Sequence, residues 1–378
     1  MKKIKVAFCL RDMQLGGVES VLIRTLDELQ KNKDIDISVI TYVKIGEPVY
    51  VEYFKQRPNI KCEVLYPCSW LGTKLPHFFL WRLSVHLMRD IYRNIKRMFV
   101  AKKLKDIDVF IDYHDFGFHN ELKRINDAKK IAWFHSSWNV FESRGFIKYL
   151  KYYDNFVVLT DDFKNEFIKK YPDYQNKILR IYNPIDIEQI KEKSKEKCNN
   201  IDGDYFCAVA RLTPDKDIET IIRAFDLFWQ KNNKPDIKMV FVGDGNRADY
   251  YKSVANNLPA KKQFVFAGAQ SNPFGIMKGA IAHILSSYGE GMGLVLIESM
   301  IVGTINISSD CKCGPREILL NGDAGLLFEP GNIEQLAKCM DDIYNKKIDI
   351  KQMITKATKS LNRFEADKIV EQIISLIS

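Results

Sequence analysis

The sequence lacks cysteine motifs of the kind that hold structural zinc. Its eight cysteines form no C-x-x-C pair, and Cys311 and Cys313 stand one residue apart without a histidine nearby. We therefore expect no zinc site. Free thiols in a reducing compartment are the expected state of these cysteines.

Long apolar runs are lacking as well, and none approaches the length that crosses a bilayer. The first ten residues contain a short apolar run that is followed at once by Arg11 and Asp12. Such a run is too short for a signal peptide and predicts a buried first strand. We expect a protein of the cytoplasm that also lies on the inner face of the cell membrane.

Nucleic-acid recognition motifs are also missing, although the net charge is +9. Neither a basic helix-turn-helix pattern nor an aromatic-basic module is present, so we expect no nucleic-acid partner. Nearly all of the charge lies in residues 74–105, which contain nine Lys or Arg residues and one acid, Asp90. Apolar residues spaced three or four apart in this segment predict a basic amphipathic helix. It either packs on a sheet or contacts an anionic membrane surface, with Phe78 to Trp81 entering the lipid.

The chain has an ordinary globular composition, with 46% hydrophobic and 28% charged residues, and its 378 residues are enough for two domains. Strand and helix patterns alternate along it, which predicts parallel sheets covered by helices on both faces. A segment rich in Lys and Glu follows Asp186 and indicates an interdomain linker.

The second half is organised around the stretch SSYGEGMGLVLIESMIVG, residues 286–303. The apolar run Ile281 to Leu285 precedes it and Leu294 to Ile301 has a helical pattern, so the order is strand, glycine-rich loop and helix. Three glycines leave the loop without side chains, which allows an anion to approach the free N–H groups at the helix start. Phosphate is the anion that we expect there.

Two carboxylates flank this loop. Glu290 precedes the helix, and Glu298 lies about one turn inside it, on the face of Leu294. Carboxylates bind sugar hydroxyls and repel phosphate, so the pair indicates a sugar nucleotide, with Glu290 near a hexose and Glu298 near a ribose. The alternative is that Glu290 caps the helix and Glu298 is a surface residue.

Further candidates follow predicted strands, at the edge where open α/β sheets bind ligands. Gly16 and Gly17 follow the first strand, and His135 follows the strand Ile131 to Phe134. A tight turn and a packed histidine are the alternatives. His114 and His119 are weaker candidates.

A pair of cations follows the strand Tyr205 to Ala210. Arg211 and Lys216 project from one strand-to-helix loop, where they can converge on a diphosphate. Solvated surface charges are the alternative.

The stretch EGMGLVLIE, residues 290–298, resembles the E-x7-E motif of the retaining glycosyltransferases of family 4. The R-x4-K pair, the GGVE at 16–19, the NPID at 183–186 and the GPREIL at 314–319 are similar to the same family. The last of these is typical of members that act on bacterial lipopolysaccharide, O-antigen and capsule. The resemblance spans nearly the whole chain and is strongest from Arg211 to Pro330.

This resemblance implies an α/β fold of GT-B architecture, in which two Rossmann-like domains face each other across a central cleft. The implied division is an acceptor-binding domain at 1–186, a linker at 187–203, a nucleotide-sugar-binding domain at 204–362 and a final helix at 363–378. That helix is expected to cross back onto the first domain near Phe364.

The resemblance also implies residue roles. Glu290 holds the sugar, His135 contacts the donor sugar and the reacting region, and Arg211 and Lys216 stabilise the leaving diphosphate; these four are the expected catalytic residues. The expected donor site consists of Gly16, Gly17, Arg211, Lys216, Gly243, Asp244, Phe266, Glu290, Gly291, Met292, Gly293, Leu294 and Glu298.

The implied activity is the transfer of a hexose or N-acetylhexosamine from a UDP-sugar to a hydroxyl of a lipid-linked saccharide, with retention at the anomeric carbon. The alternatives are a UDP-sugar epimerase of the same fold and a protein that only binds a nucleotide sugar or nucleic acid. We expect no cofactor and no metal, because the Asp-x-Asp pairs at 34–36, 106–108 and 202–204 precede or open strands instead of following them.

Overall fold

The computed structural model describes residues 3–14, 16–65, 88, 91, 92, 95, 104–125, 127–196 and 201–378. Most of the predicted basic helix at 74–105, including Phe78 to Trp81, lies outside these residues.

The first half of the chain forms a parallel sheet. Its strands are β1 (Ile4–Leu10), β2 (Ile35–Thr41), β3 (Lys61–Val64), β4 (Val109–Asp112), β5 (Lys129–Trp133), β6 (Asn155–Val158) and β7 (Ile178–Arg180). Their spatial order is β3-β2-β1-β4-β5-β6-β7. The order reverses between β1 and β4, which opens a ligand crevice at the carboxyl ends of these strands.

The second half repeats this arrangement. Its strands are β8 (Asp204–Val209), β9 (Ile237–Val242), β10 (Phe264–Phe266), β11 (His283–Leu285), β12 (Asn306–Ser309) and β13 (Leu326–Phe328). Their order is β10-β9-β8-β11-β12-β13, with the reversal between β8 and β11. Strand β13 was not predicted, since three residues at a sheet edge leave little periodic pattern.

Helices cover both sheets and present apolar stripes to them. The α-helices whose two ends lie within the described residues are Gly17–Leu29, Pro48–Lys55, His119–Leu122, Trp138–Ser143, Asp161–Lys170, Ile187–Lys193, Ile218–Lys231, Ala248–Asn256, Phe274–Gly279, Leu294–Ile301, Pro315–Ile318, Ile333–Tyr344, Ile350–Ser360 and Ala366–Ile377. Within the described ranges, no helix is both long and apolar enough to span a bilayer.

The last helix returns to the first half of the chain. Ile185 forms an isolated parallel bridge with Glu365, and the Phe364 ring lies 5.0 Å from that of Tyr182. The helix Ala366–Ile377 then packs on the helix Gly17–Leu29. The expected fold of two Rossmann-like halves with a returning helix is therefore confirmed.

The two halves also contact each other beside the cleft. The Glu317 carboxylate accepts hydrogen bonds from the Asp162 N–H (2.8 Å) and the Tyr182 hydroxyl (2.6 Å), and Lys312 pairs with Glu166 at 2.8 Å. Glu317 thereby caps the start of a helix in the first half. Burial raises the pKa of Glu317 above its usual value.

Candidate active site

A cleft of about 860 Å³ lies between the carboxyl ends of the two sheets. All but one of the predicted donor-site residues line it, together with His135. The exception is Phe266, which is partly buried, packs against the hydrophobic core of the second half and stacks on Phe241 with 4.9 Å between ring centroids. Phe266 is not among the residues that line the cleft, whereas Ala269 and Gln270 of the next loop are.

Glu290 and Lys216 form an ion pair inside the cleft. The Glu290 Oε1 atom accepts hydrogen bonds from Lys216 Nζ and from the Ser287 hydroxyl, both at 2.6 Å. The Lys216 and Glu290 side chains are only 15% and 13% exposed, so water screens the pair weakly. This arrangement excludes the alternative in which Glu290 caps the following helix.

The helix Leu294–Ile301 begins at the cleft without a side-chain cap. Its first N–H groups and the positive end of its dipole are therefore available to an anion. Gly293 precedes the helix with φ +85, a conformation that favours glycine. At Gly291 the two halves approach so closely that a Cβ atom would lie 2.0 Å from the His135 carbonyl oxygen.

His135 lies on the opposite wall of the cleft. Its backbone N–H donates to Asp115 Oδ1 at 2.8 Å, and its ring lies 4.4 Å from that of Tyr113. Burial lowers the pKa of His135 to about 3, so the imidazole is neutral at physiological pH. Its buried Nε2 atom has no hydrogen-bond partner among the described residues and is free to bind a ligand hydroxyl.

Glu298 and Arg211 line the cleft in different surroundings. Glu298 is partly buried, and this burial raises the pKa of its carboxyl while the nearby Arg24 lowers it. Arg211 is 73% exposed and pairs loosely with Asp215 at 3.9 Å. The two cations predicted to act together thus differ, since Lys216 is largely buried in a short ion pair and Arg211 is largely exposed.

Two buried polar residues of the cleft were not among the predicted site residues. Glu19, in the GGVE stretch, and Asn183, in the NPID stretch, are both buried and line the cleft. The Asn183 Oδ1 atom has no partner within the described part of the chain. Both residues could have been predicted from the sequence, because each lies inside a motif that resembles the family.

The weaker candidates, His114 and His119, lie outside this cleft and line a neighbouring one. His114 Nδ1 accepts the Arg11 N–H at 3.2 Å. The His119 ring stacks on Tyr149 with 3.9 Å between centroids.

The chemistry of the cleft suits a diphosphate joined to hydroxylated groups. Lys216, Arg211 and the uncapped helix start supply positive potential. Glu290, Glu298 and the neutral His135 supply partners for hydroxyl groups.

Comparisons with known proteins show similarity to glycosyltransferases. Residues 189–360 match the family model of the group 1 glycosyl transferases. An uncharacterized glycosyltransferase of Methanocaldococcus jannaschii is 27% identical over 87% of this chain and 92% of its own. The lipopolysaccharide 1,6-galactosyltransferase of Salmonella typhimurium is 24% identical over 80% of this chain and 85% of its own.

Among solved structures, the Anabaena protein HepE in complex with UDP has the same fold. Its TM-score is 0.74 with 17% identity, and the match covers 99% of both chains. The comparisons thus confirm the resemblance to the group 1 glycosyltransferases that the motifs of the second half predict.

Proposed function

We propose that this protein transfers a hexose or N-acetylhexosamine from a UDP-sugar to a saccharide hydroxyl in surface polysaccharide synthesis. Residues 1–186 bind the acceptor and residues 204–362 bind the donor. The observation that carries the proposal is the buried pair of Lys216 and Glu290 beside an uncapped helix start, opposite His135. Such a site binds a diphosphate and a sugar side by side.

The reaction breaks the bond between the anomeric carbon and the diphosphate oxygen. Negative charge builds on the departing UDP, where Lys216, Arg211 and the helix N–H groups stabilise it. The acceptor oxygen forms the new bond to the anomeric carbon, and its proton passes to the departing phosphate oxygen. UDP and the glycosylated acceptor are the products.

Retention at the anomeric carbon follows from attack on the face that UDP leaves, as in the retaining enzymes of family 4. Glu290 is a poor candidate for a covalent nucleophile because Lys216 and Ser287 both donate to its Oε1 atom. A carboxylate held in this way is suited to orient sugar hydroxyls. His135, being neutral, donates or accepts a further hydrogen bond there.

The donor is a UDP-sugar. In this proposal the ribose binds to Glu298, which lines the cleft together with Gly243 and Asp244. At Gly243, with φ +141, a Cβ atom would lie 1.9 Å from the Ala210 carbonyl oxygen, so only glycine allows this approach of two loops. The UDP complex of the structurally similar HepE supports the choice of nucleotide.

The transfer is independent of metal. The aspartates of the three Asp-x-Asp pairs lie at or just before the amino ends of β2, β4 and β8, at the sheet edge opposite the cleft. Lys216, Arg211 and the helix start supply the positive charge that a divalent cation supplies in metal-dependent transferases.

The acceptor is a lipid-linked saccharide, and the protein acts at the inner face of the membrane. The name of the Salmonella relative, a lipopolysaccharide galactosyltransferase, supports such an acceptor. Within the basic segment, Met88, Ile91 and Ile95 are helical and 57%, 51% and 52% exposed. Their spacing places them on one face of a helix, as expected of a segment that contacts lipid.

Incubation with candidate UDP-sugars and saccharide acceptors tests the proposal. Release of UDP that depends on the acceptor supports transfer, whereas a new UDP-sugar supports the epimerase alternative. A thermal-shift screen with UDP-glucose, UDP-galactose and their N-acetyl forms identifies the donor. If no UDP-sugar shifts the melting temperature and none is converted, the proposal is wrong.

A further inference from the structure

A second cleft, of about 630 Å³, opens on the first half of the chain. It lies at the carboxyl edge of the first sheet, in the loops that follow β1 and β4. The side chains that the following argument uses are Arg11, His114, Asp115, Glu121 and Arg144, all of which line it.

The second cleft adjoins the proposed donor cleft through two contacts. Glu19 lines the donor cleft, and its Oε1 atom lies 3.8 Å from Nε2 of His114 in the second cleft. Asp115 accepts a hydrogen bond from the backbone N–H of His135 at 2.8 Å. A ligand that fills the second cleft therefore reaches the atoms beside His135 and Glu19.

The acids of the second cleft are already engaged. The carboxylate of Asp115 also accepts a hydrogen bond from the Ser136 hydroxyl. Glu121, which is buried, accepts the Tyr42 hydroxyl at 2.6 Å. These hydrogen bonds hold both carboxylates in place.

The cations of the second cleft are not engaged in this way. Arg11 and Arg144 are exposed, and neither guanidinium forms an ion pair or hydrogen bond with the described residues. The remaining acid, Asp12, accepts a hydrogen bond from Gln14 at 2.8 Å. Two unpaired guanidinium groups in one polar cleft favour an anionic ligand, since each presents a planar fork to phosphate or carboxylate oxygens.

The loop after β4 adopts an unusual backbone to form this cleft. Asp115 and Phe116 have φ +48 and +62, which is unfavourable for residues other than glycine. A Cβ atom on Gly117 would lie 2.8 Å from the His114 carbonyl oxygen and 3.0 Å from Arg11 Cγ. Glycine at position 117 therefore leaves room for the stem of Arg11 beside this loop.

We infer that the second cleft binds an anionic group of the acceptor, a phosphate or a carboxylate attached to its saccharide, between Arg11 and Arg144. This inference rests on the proposed glycosyl transfer and adds the charge class of the acceptor. The acceptor hydroxyl then lies toward Glu19 and His135, next to the donor sugar. A neutral saccharide lacks the group that the two arginines bind.

Calorimetric titration in saturating UDP tests the inference, because UDP occupies the donor phosphate site. The probes are glucose 1-phosphate, glucuronate and neutral methyl glucoside, and the variant is Arg11→Gln with Arg144→Gln. We expect binding of at least one anionic probe to weaken by a factor of about 10 or more in the double variant. The control Arg124→Gln, an exposed arginine of the same half that lines neither cleft, should bind as the parent does.

The two anionic probes distinguish a phosphorylated acceptor from a uronic acid. Equal binding of both by parent and double variant, or binding of neither by the parent, would overturn the inference. UDP affinity is measured separately in all proteins. A parent that does not bind UDP contradicts the proposed function, whereas unchanged UDP affinity with no arginine-dependent binding contradicts only this inference.

Discussion

The substitution Glu290→Gln tests the central pair of the proposed active site. The amide keeps the shape of the side chain and one oxygen that can accept from Lys216 Nζ, now 2.6 Å from Glu290 Oε1. It removes the negative charge and replaces the second oxygen by a donor. Lys216 is then left as a buried cation without a counter-charge.

The size of the effect follows from this geometry. A hydrogen bond from a sugar hydroxyl to a charged group contributes about 1.5–3 kcal/mol, so its loss in the transition state lowers kcat/KM by about 10- to 150-fold. Removing the charge from a pair of which each side chain is at least 85% buried costs about 1–3 kcal/mol of folding stability. UDP binding is kept or strengthened, because Lys216 no longer has to leave Glu290 to reach the diphosphate.

The assay combines steady-state transfer, calorimetric UDP binding and thermal unfolding. Glu334→Gln is the matched control, since Glu334 is an exposed glutamate of the same half that lines neither cleft. A kcat/KM within threefold of the parent would refute the assignment of Glu290 to the sugar. Loss of UDP binding in Glu290→Gln would show that Glu290 acts at the diphosphate, which contradicts its assignment to the sugar.

Four further predictions concern other parts of the molecule. Lys216→Ala should weaken UDP binding by about 2–4 kcal/mol, whereas substitution of the exposed Arg211 by Ala should weaken it by about 1 kcal/mol. Calorimetry that shows unchanged UDP affinity in both variants would contradict this location of the phosphate site. Gly291→Ala should lower activity and melting temperature because of its clash with the neighbouring loop, while Gly46→Ala, with open space around its Cβ, should alter neither. Because burial lowers the pKa of His135 from 6.5 to about 3, unfolding favours its protonation between these values. The free energy of unfolding should therefore decrease as the pH drops from about 6.5 toward 3, and this decrease should be smaller in His135→Gln. Urea titrations at pH 7 and pH 5 measure both values. Binding of the protein to anionic vesicles should weaken as the salt concentration rises. Replacing four basic residues by Gln should weaken vesicle binding and leave UDP affinity unchanged. Equal sedimentation of parent and variant with the vesicles would contradict a membrane role. These residues are Arg89, Arg93, Lys96 and Arg97.

The sequence was informative where local rules decide the structure. Helical periodicity and a glycine-rich loop are enough to bring Glu290 and Glu298 to one cleft. The end of a buried strand is enough to bring His135 to the ligand edge. Strand and helix alternation likewise predicts both sheets.

Other features depend on which segments meet in space. The contact of Lys216 with Glu290 joins residues 74 positions apart and exists because β8 and β11 are neighbours in the sheet. The burial of Glu19 depends on its proximity to His114, far along the chain. The packing of Phe266 against the core was not predictable either, because a three-residue strand does not reveal which of its faces meets the core.

The returning helix has a consequence for how the chain acquires its structure during synthesis. The helix Gly17–Leu29 leaves the ribosome early, but its partner Ala366–Ile377 is made more than 300 residues later. At translation rates of about 5–20 residues per second the delay is on the order of tens of seconds. Through this interval the first half has an uncovered apolar face, which Ile369, Ile373 and Ile377 bury once they arrive. Nascent chains that stall before residue 366 therefore expose an apolar surface. Such a surface favours aggregation and is a binding site for chaperones.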